Sequence, residues 1–348
     1  MSSETAIREA LKQVKYPGFS RDIISFGLVK EVRIGAGETV VRIEVQTRDA
    51  KVPEQIFKDC HTVLETLPDL GAVKVEIEVK DAPAADSQAA GVGKSSIPGV
   101  KHIIAVASGK GGVGKSTVAS NLAVAMQQIG ARVGLCDCDL YGPSTAMMFG
   151  SEERPLANER DEIIPIQAHG IQLMSMGLLL EDSSPVIVRG PMATRYTQQF
   201  LRQVAWDNLD YLVLDLPPGT GDIQLTIVQT VRVDGAIIVT TPQEVALIDA
   251  RKAVSMFGKV NVPILGIVEN MAWFECAHGT RYPIFGEGGG KKEAAALNVP
   301  LLAQIPIDPP TREGGDNGKP VALMPAAQSS VSTNFRELAR KVKDALGA

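Results

Sequence analysis

Residues 107–117 read "ASGKGGVGKST". From Gly109 to Ser116 the stretch follows the spacing G-x-x-x-x-G-K-S/T, and its flanks supply the context that spacing needs. The apolar run "HIIAVAS" (102–108) precedes it with the composition of a buried strand, and "STVASNLAVAMQQIG" (116–130) follows it with helical character. A strand, a glycine loop and a helix in that order turn backbone N–H groups inward around a polyphosphate. The helix N-terminus adds the positive end of its dipole. On this reading Gly109, Lys110, Gly111, Gly112, Val113, Gly114, Lys115, Ser116 and Thr117 form a nucleotide loop. Lys115 is expected on the β- and γ-phosphates and Ser116 on Mg2+. Lys110 is one lysine more than the spacing requires.

Outward from the loop, "RVGLCD", "YLVLDL", "GAIIVTT" and "ILGIVEN" are further short, almost wholly apolar runs, with helical stretches between them. Strands buried on both faces read this way, and they belong to parallel sheets covered by helices on each side. Ligands in such sheets lie beyond the C-terminal strand ends. Asp215 ends one run, in "LVLDLPPGTGD", and is placed to hold Mg2+ through water. Asp137 and Asp139 end another, in "LCDCDLYGPS". Asp137 is assigned to the magnesium shell with Ser116 and Asp215. Asp139 begins the loop that would reach the γ-phosphate, so it takes the catalytic role beside Lys110 and Lys115. Each aspartate alone could equally be a strand-end cap. Cys136 and Cys138 flank Asp137; alternation puts both on one face, where small thiols pack as core.

The rest of the chain divides by texture. Residues 99–348 form the parallel-sheet domain. Residues 81–98, "DAPAADSQAAGVGKSSIP", are small and polar and read as a flexible linker. Residues 1–80 alternate helical and strand-like stretches, giving a small α+β domain with an antiparallel-type sheet, in which Cys60 is expected as a core cysteine. The chain has 348 residues and a net charge of −5, without the basic surplus of a nucleic-acid binder. The N-terminus has no signal-peptide pattern and no apolar run approaches the ~18 residues of a membrane span. Four uneven cysteines make no disulfide framework. A cytoplasmic setting, no nucleic-acid partner and no membrane partner are the expectations. The closing "VSTNFRELARKVKDALGA" is amphipathic, but its polar face mixes acids and bases, which favours packing on the domain over a lipid surface.

"KGGVGKST" resembles the deviant Walker A loop of the family that includes nitrogenase iron protein, the Min and Par partitioning ATPases and the Mrp/ApbC-type iron–sulfur carriers. "DLYGPS", "DLPPGTGD", "TTPQEVALIDARKA", "ENMAWF" and "IFGEGGG" are similar to the Mrp/ApbC branch, and "YPGFSRDIISFGLVKEVRI" resembles the opening of the small MIP18-type module often fused to it. The resemblance implies a homodimeric P-loop ATPase, slow in turnover, that binds ATP and Mg2+ and carries or scaffolds an iron–sulfur cluster for apoprotein acceptors. It implies that Lys110 reaches across the dimer to the partner's nucleotide and that Asn270 contacts the adenine. Where the small module often has Cys-Pro, this chain has Val52-Pro53.

One motif departs from that pattern. Members that carry a cluster place C-x-x-C after "NM", so that two subunits bridge a cluster with four thiolates. Here Cys276 is present, the second position is Gly279, and His278 lies between. Two cysteines and two histidines from a dimer could still supply four ligands. The alternative is a site that no longer holds a cluster, leaving a nucleotide-switched dimeric binding protein. A Par- or Min-like positioning ATPase is disfavoured by the acidic charge and by the mixed polar face of the last helix.

Overall fold

The computed structural model describes residues 4–14, 22–24, 28–35, 37–46, 51–67, 70, 72–80, 94–160, 162–179, 197 and 200–347. They fall into two compact units that divide between Gly93 and Lys94. Residues 81–93 of the expected linker lie outside the described residues. Residues 94–98 belong to the second unit. Ser95 bonds through its backbone with Thr230 and Arg232, Lys94 Nζ donates to the Val260 carbonyl at 2.6 Å, and Ile97 is buried.

The first unit contains α1 (Glu4–Leu11), β1 (Val29–Ile34), β2 (Glu38–Gln46), α2 (Lys51–Leu64) and β3 (Ala72–Lys80). Strand order is β1-β2-β3, with β1 antiparallel and β3 parallel to β2. The antiparallel-type sheet expected from sequence is thus corrected to a mixed one. The cause is α2, which lies between β2 and β3 and carries the chain back so that β3 runs the same way. Ile7, Leu11, Val41, Ile43, Ile56 and Leu64 build the core. Cys60 is buried among them, and desolvation pushes its thiol up to about 12, so it packs as an inert apolar group.

The second unit is built on a nine-stranded sheet among the described residues. Its strands are β4 (Val100–Ala107), β5 (Val133–Asp137), β6 (Ile166–Ala168), β7 (Ile171–Ser175), β8 (Leu209–Asp215), β9 (Gly235–Thr240), β10 (Ile264–Glu275), β11 (Arg281–Tyr282) and β12 (Leu301–Ile307). The order β6-β7-β5-β8-β4-β9-β10 continues to β12, while β11 pairs with the far end of β10. Every pairing is parallel except β6–β7 and β10–β11. Helices α3 (Lys115–Gln128) and α9 (Ser330–Ala345) share one core with the sheet. On the other face α5 (Asp222–Thr230) and α6 (Glu244–Lys259) share a second. Val331, Phe335, Leu338 and Val342 line one stripe of α9 and are buried. Each such side chain contributes about 1.5–3 kcal/mol by leaving water, so the helix's apolar stripe is occupied by its own domain.

Register sets the site. Asp215 on β8 lies opposite both Val106 on β4 and Asp137 on β5. The strand ends carrying the glycine loop and the two aspartates therefore finish level, beside the point where β4 crosses over β8 to reach β5.

Candidate functional site

The glycine loop occupies the turn from β4 into α3. Gly112 and Gly114 both have φ near +80°, a region that L side chains rarely adopt. A Cβ on Gly114 would also sit 2.2 Å from Asn270 Nδ2. That close approach is used: Asn270 Nδ2 donates to the Val113 carbonyl at 2.9 Å, tying the middle of β10 to the loop. Ser108 Oγ donates to the Lys110 carbonyl at 2.9 Å and fixes the loop from the other side. Asn270, expected on the adenine, here gives its amide nitrogen to the loop backbone.

Around the loop is a hollow of about 250 Å³ lined by Lys110, Gly111, Gly112, Gly114, Lys115, Ser116, Thr117, Asp139, Ser144 and Pro218, among others. Most residues picked from sequence therefore meet at one place. Lys115 is buried and donates to Asp215 Oδ1 at 2.5 Å and to Ser116 Oγ at 3.2 Å. Asp215 is wholly buried, and its Oδ2 has no hydrogen-bond partner among the described residues. Desolvation pushes its carboxyl up to about 6, against the pull of Lys115 and with added repulsion from Asp137. An orphaned carboxylate oxygen next to a serine hydroxyl suits a hydrated cation, so the donor set fits Mg2+. Lys110 lines the hollow and makes no ion pair among the described residues.

The two aspartates after β5 have different tasks. Asp137 is fully buried. Its Oδ2 accepts from Ser144 N, Thr145 N, Thr145 Oγ1 and Ser175 Oγ at 2.9–3.1 Å, and its Oδ1 accepts from Asp139 N at 3.1 Å. A carboxylate holding five donors anchors the 139–145 loop. Asp139 accepts from Tyr141 N and Gly142 N and faces the hollow. Ser144, Thr145 and Ser175 were not singled out in the sequence, although "GPST" before a short helix is a recognisable capping pattern. Cys136 and Cys138 lie on one face with sulfurs 3.8 Å apart, both buried in the apolar core.

Cys276 stands elsewhere, at the turn between β10 and β11. Cys276 N donates to the Thr280 carbonyl and Gly279 N to the Cys276 carbonyl, closing a tight turn. Gly279 has φ +77°, so the position where a second cysteine was sought is one where any side chain is strained. Backbone N–H groups of His278 and Thr280 point at the Cys276 sulfur and hold its pKa below the usual thiol range. The thiol also borders a cleft of about 530 Å³, with Trp273, Arg281, Gln304 and Asp308 among its walls. Among the described residues no cluster of three or more His, Cys, Asp and Glu side chains could hold a metal ion. No helix among them is long and apolar enough to cross a membrane.

Comparison with known proteins settles the family. Residues 99–343 match the family described as NUBPL iron-transfer P-loop NTPase, and residues 4–77 match the family described as iron-sulfur cluster assembly protein. The chain belongs to the NUBPL iron-transfer P-loop NTPases. A relative from Deinococcus radiodurans named iron-sulfur cluster carrier protein is 44% identical over 337 residues, covering 96% of this chain and 93% of its own. One of the same name from Pseudomonas fragi is 50% identical over 280 residues, covering 79% and 96%. Among solved structures, a nucleotide-binding protein from Archaeoglobus fulgidus in complex with ADP is 38% identical. It covers 67% of this chain and 93% of that one, with a TM-score of 0.59. The expected parallel-sheet P-loop fold with a small domain before it is that of this family. A P-loop NTPase of this kind is built for nucleotide hydrolysis in general.

Proposed function

We propose that this protein is a homodimeric, ATP-hydrolysing carrier that takes up an iron–sulfur cluster and delivers it to apoproteins. The observation that carries the reading is Cys276: a reachable thiol, favoured as thiolate by two backbone N–H groups, in the same unit as a fitted nucleotide site. The names of the relatives support the same cargo. One thiol per subunit cannot ligate a cluster alone, so cargo would sit between two copies, with His278 as a further donor.

In hydrolysis, water attacks the γ-phosphorus of ATP, the bond to the ADP oxygen breaks, and ADP and phosphate leave. Lys115 exchanges Asp215 for the β- and γ-phosphates. Ser116 and Asp215 would hold Mg2+, with Asp137 in its outer shell, and the bound ion would neutralise phosphate charge. Asp139 orients the attacking water, and Asp137 acts by fixing the loop that carries it. Lys110, without an ion pair among the described residues, reaches the partner's nucleotide and counters charge developing there. Asn270 contacts the adenine. Proposed domain bounds are 1–80 for the small domain and 99–348 for the ATPase, which residues 94–98 extend.

Anaerobic reconstitution with iron and sulfide tests the cargo. The wild type should gain visible cluster absorption and pass it to an acceptor apoprotein, and Cys276→Ser should lose both while still binding ATP. If wild type and Cys276→Ser take up equal iron, the carrier reading fails. Gly279 favours a second reading, a nucleotide-switched dimer without cluster, which predicts no uptake by either. Lys110→Ala should abolish ATP-dependent dimerisation in sedimentation and lower turnover at least tenfold. Unchanged values would remove Lys110 from the site.

A further inference from the structure

Met271, inside β10, has φ +55°. Among the described residues the other non-glycine residues with positive φ are His169, Asn208, Asn261 and Asn298, and all four lie outside helices and strands. A left-handed backbone presses Cβ against the following carbonyl, so a methionine holds it only where its surroundings insist. Those surroundings are the glycine loop. Asn270 Nδ2 ties the preceding residue to the Val113 carbonyl, and the methyl end of Met271 lies 3.7 Å from where a Cβ on Gly114 would stand.

On either side of the kink β10 is braced. Upstream, Glu269 is wholly buried and accepts from Gly290 N at 2.6 Å and from Gln304 Nε2. Downstream, Phe274 and Glu275 pair with Tyr282 and Arg281. The Arg281 guanidinium lies 4.5 Å over the Trp273 ring and bonds Glu275 Oε2 at 2.7 Å, so the hairpin that bears Cys276 holds together as one body. Between the braces the pairing with β12 slips. Asn270 stands opposite Ile305 and Phe274 opposite Ile307, so β10 advances four positions while β12 advances two. That surplus is slack in which φ and ψ can change without breaking either brace.

We propose that Met271 is a strained hinge through which nucleotide at the glycine loop repositions the Cys276 hairpin. Adenine has ring nitrogens that accept hydrogen bonds as the Val113 carbonyl does, so a bound base competes for the Asn270 amide. Once the amide transfers, the tie that holds Met271 left-handed is gone and the residue relaxes to the extended backbone of a strand. The hairpin then turns about position 271 and reshapes the cleft walled by Trp273, Cys276 and Arg281. The inference rests on the proposed contact of Asn270 with adenine and is independent of any cargo on Cys276.

The test follows alkylation of Cys276 by iodoacetamide, read by peptide mass spectrometry on the full chain with and without ATP and Mg2+. The other three cysteines are buried. Protein is diluted until sedimentation shows single copies in both conditions, so that a partner subunit does not shield the thiol. Loading should change the wild-type rate by about threefold or more. Met271→Gly, for which a left-handed backbone is unstrained, should lose that response while its affinity for a fluorescent ATP analogue stays within about threefold of wild type. Met271→Val, whose branched side chain rejects positive φ, should react without nucleotide at the loaded wild-type rate. Should M271V not fold, Met271→Leu, which keeps both the strain and the size, should respond to ATP as wild type does, in contrast to M271G. If wild type binds ATP with no change in rate, if M271G responds as wild type does, or if folded M271V keeps the unloaded rate, the inference falls and nucleotide binding stands. If wild type binds no ATP, the nucleotide reading falls and the inference with it.

Discussion

Asp215 meets opposing demands. Burial favours its neutral form, and Lys115 at 2.5 Å favours the charged one; burial prevails, lifting the carboxyl from 3.8 to about 6. The folded, nucleotide-free protein thus binds this proton more tightly than the unfolded chain. Its contribution to stability is complete below about pH 4 and is lost as pH rises through about 6. That displacement is worth about 3 kcal/mol. Asp215→Asn removes the titration, so the melting temperature of wild type minus that of the variant should fall between pH 4 and pH 7. A flat difference would show that Asp215 stays ionised throughout. At this scale the sequence showed which residues gather and left their tasks open. "DCD" announces two carboxylates, but the division of labour between Asp137 and Asp139 depends on Ser144, Thr145 and Ser175 converging on one of them. Ser175 lies 38 residues away and carries no local signal. The kink at Met271 was invisible for the same reason, since a left-handed methionine is a property of packing.

Elements carry the loop, and Gly114 is where two of them touch. Its φ of +80°, and Asn270 Nδ2 only 2.2 Å from where a Cβ would stand, leave no place for a methyl group. Gly114→Ala should lower ATP affinity at least a hundredfold, an order-of-magnitude expectation from misplacing a positioned loop. Binding is measured with a fluorescent nucleotide while circular dichroism shows the fold intact. Near-normal affinity would mean that β10 and the loop are not coupled. The strands themselves were legible because runs buried on both faces have no polar residues to interrupt them. The direction of β3 was harder. "VKVEIEVK" alternates as any half-exposed strand does, and only its connection through α2 sets it parallel to β2. The turn at Cys276 shows the limit of motif matching. Spacing asks for a cysteine at 279, whereas backbone geometry asks for glycine.

For the molecule as a whole, composition marked a break between two textures but not its edge. Polar, small residues continue to Pro98, so the linker reads through 98. Lys94, Ser95 and Ile97 nonetheless attach to Val260, Thr230 and the apolar core. Such contacts join residues more than a hundred positions apart and leave no trace in local texture. A chain beginning at residue 94 should bind ATP as the whole protein does. One beginning at residue 99 should melt several degrees lower, having lost a buried isoleucine and its flanking bonds, worth about 1.5–3 kcal/mol for the side chain alone. Equal melting temperatures in scanning calorimetry would place the boundary at 99 after all. The ammonium–carboxylate contact at the heart of the ATPase unit has a last consequence. In the empty fold Lys115 and Asp215 match each other, so neither charge of this pair waits without a counterpart. An incoming magnesium–triphosphate presents one positive and one negative centre, so loading becomes an exchange of counterparts.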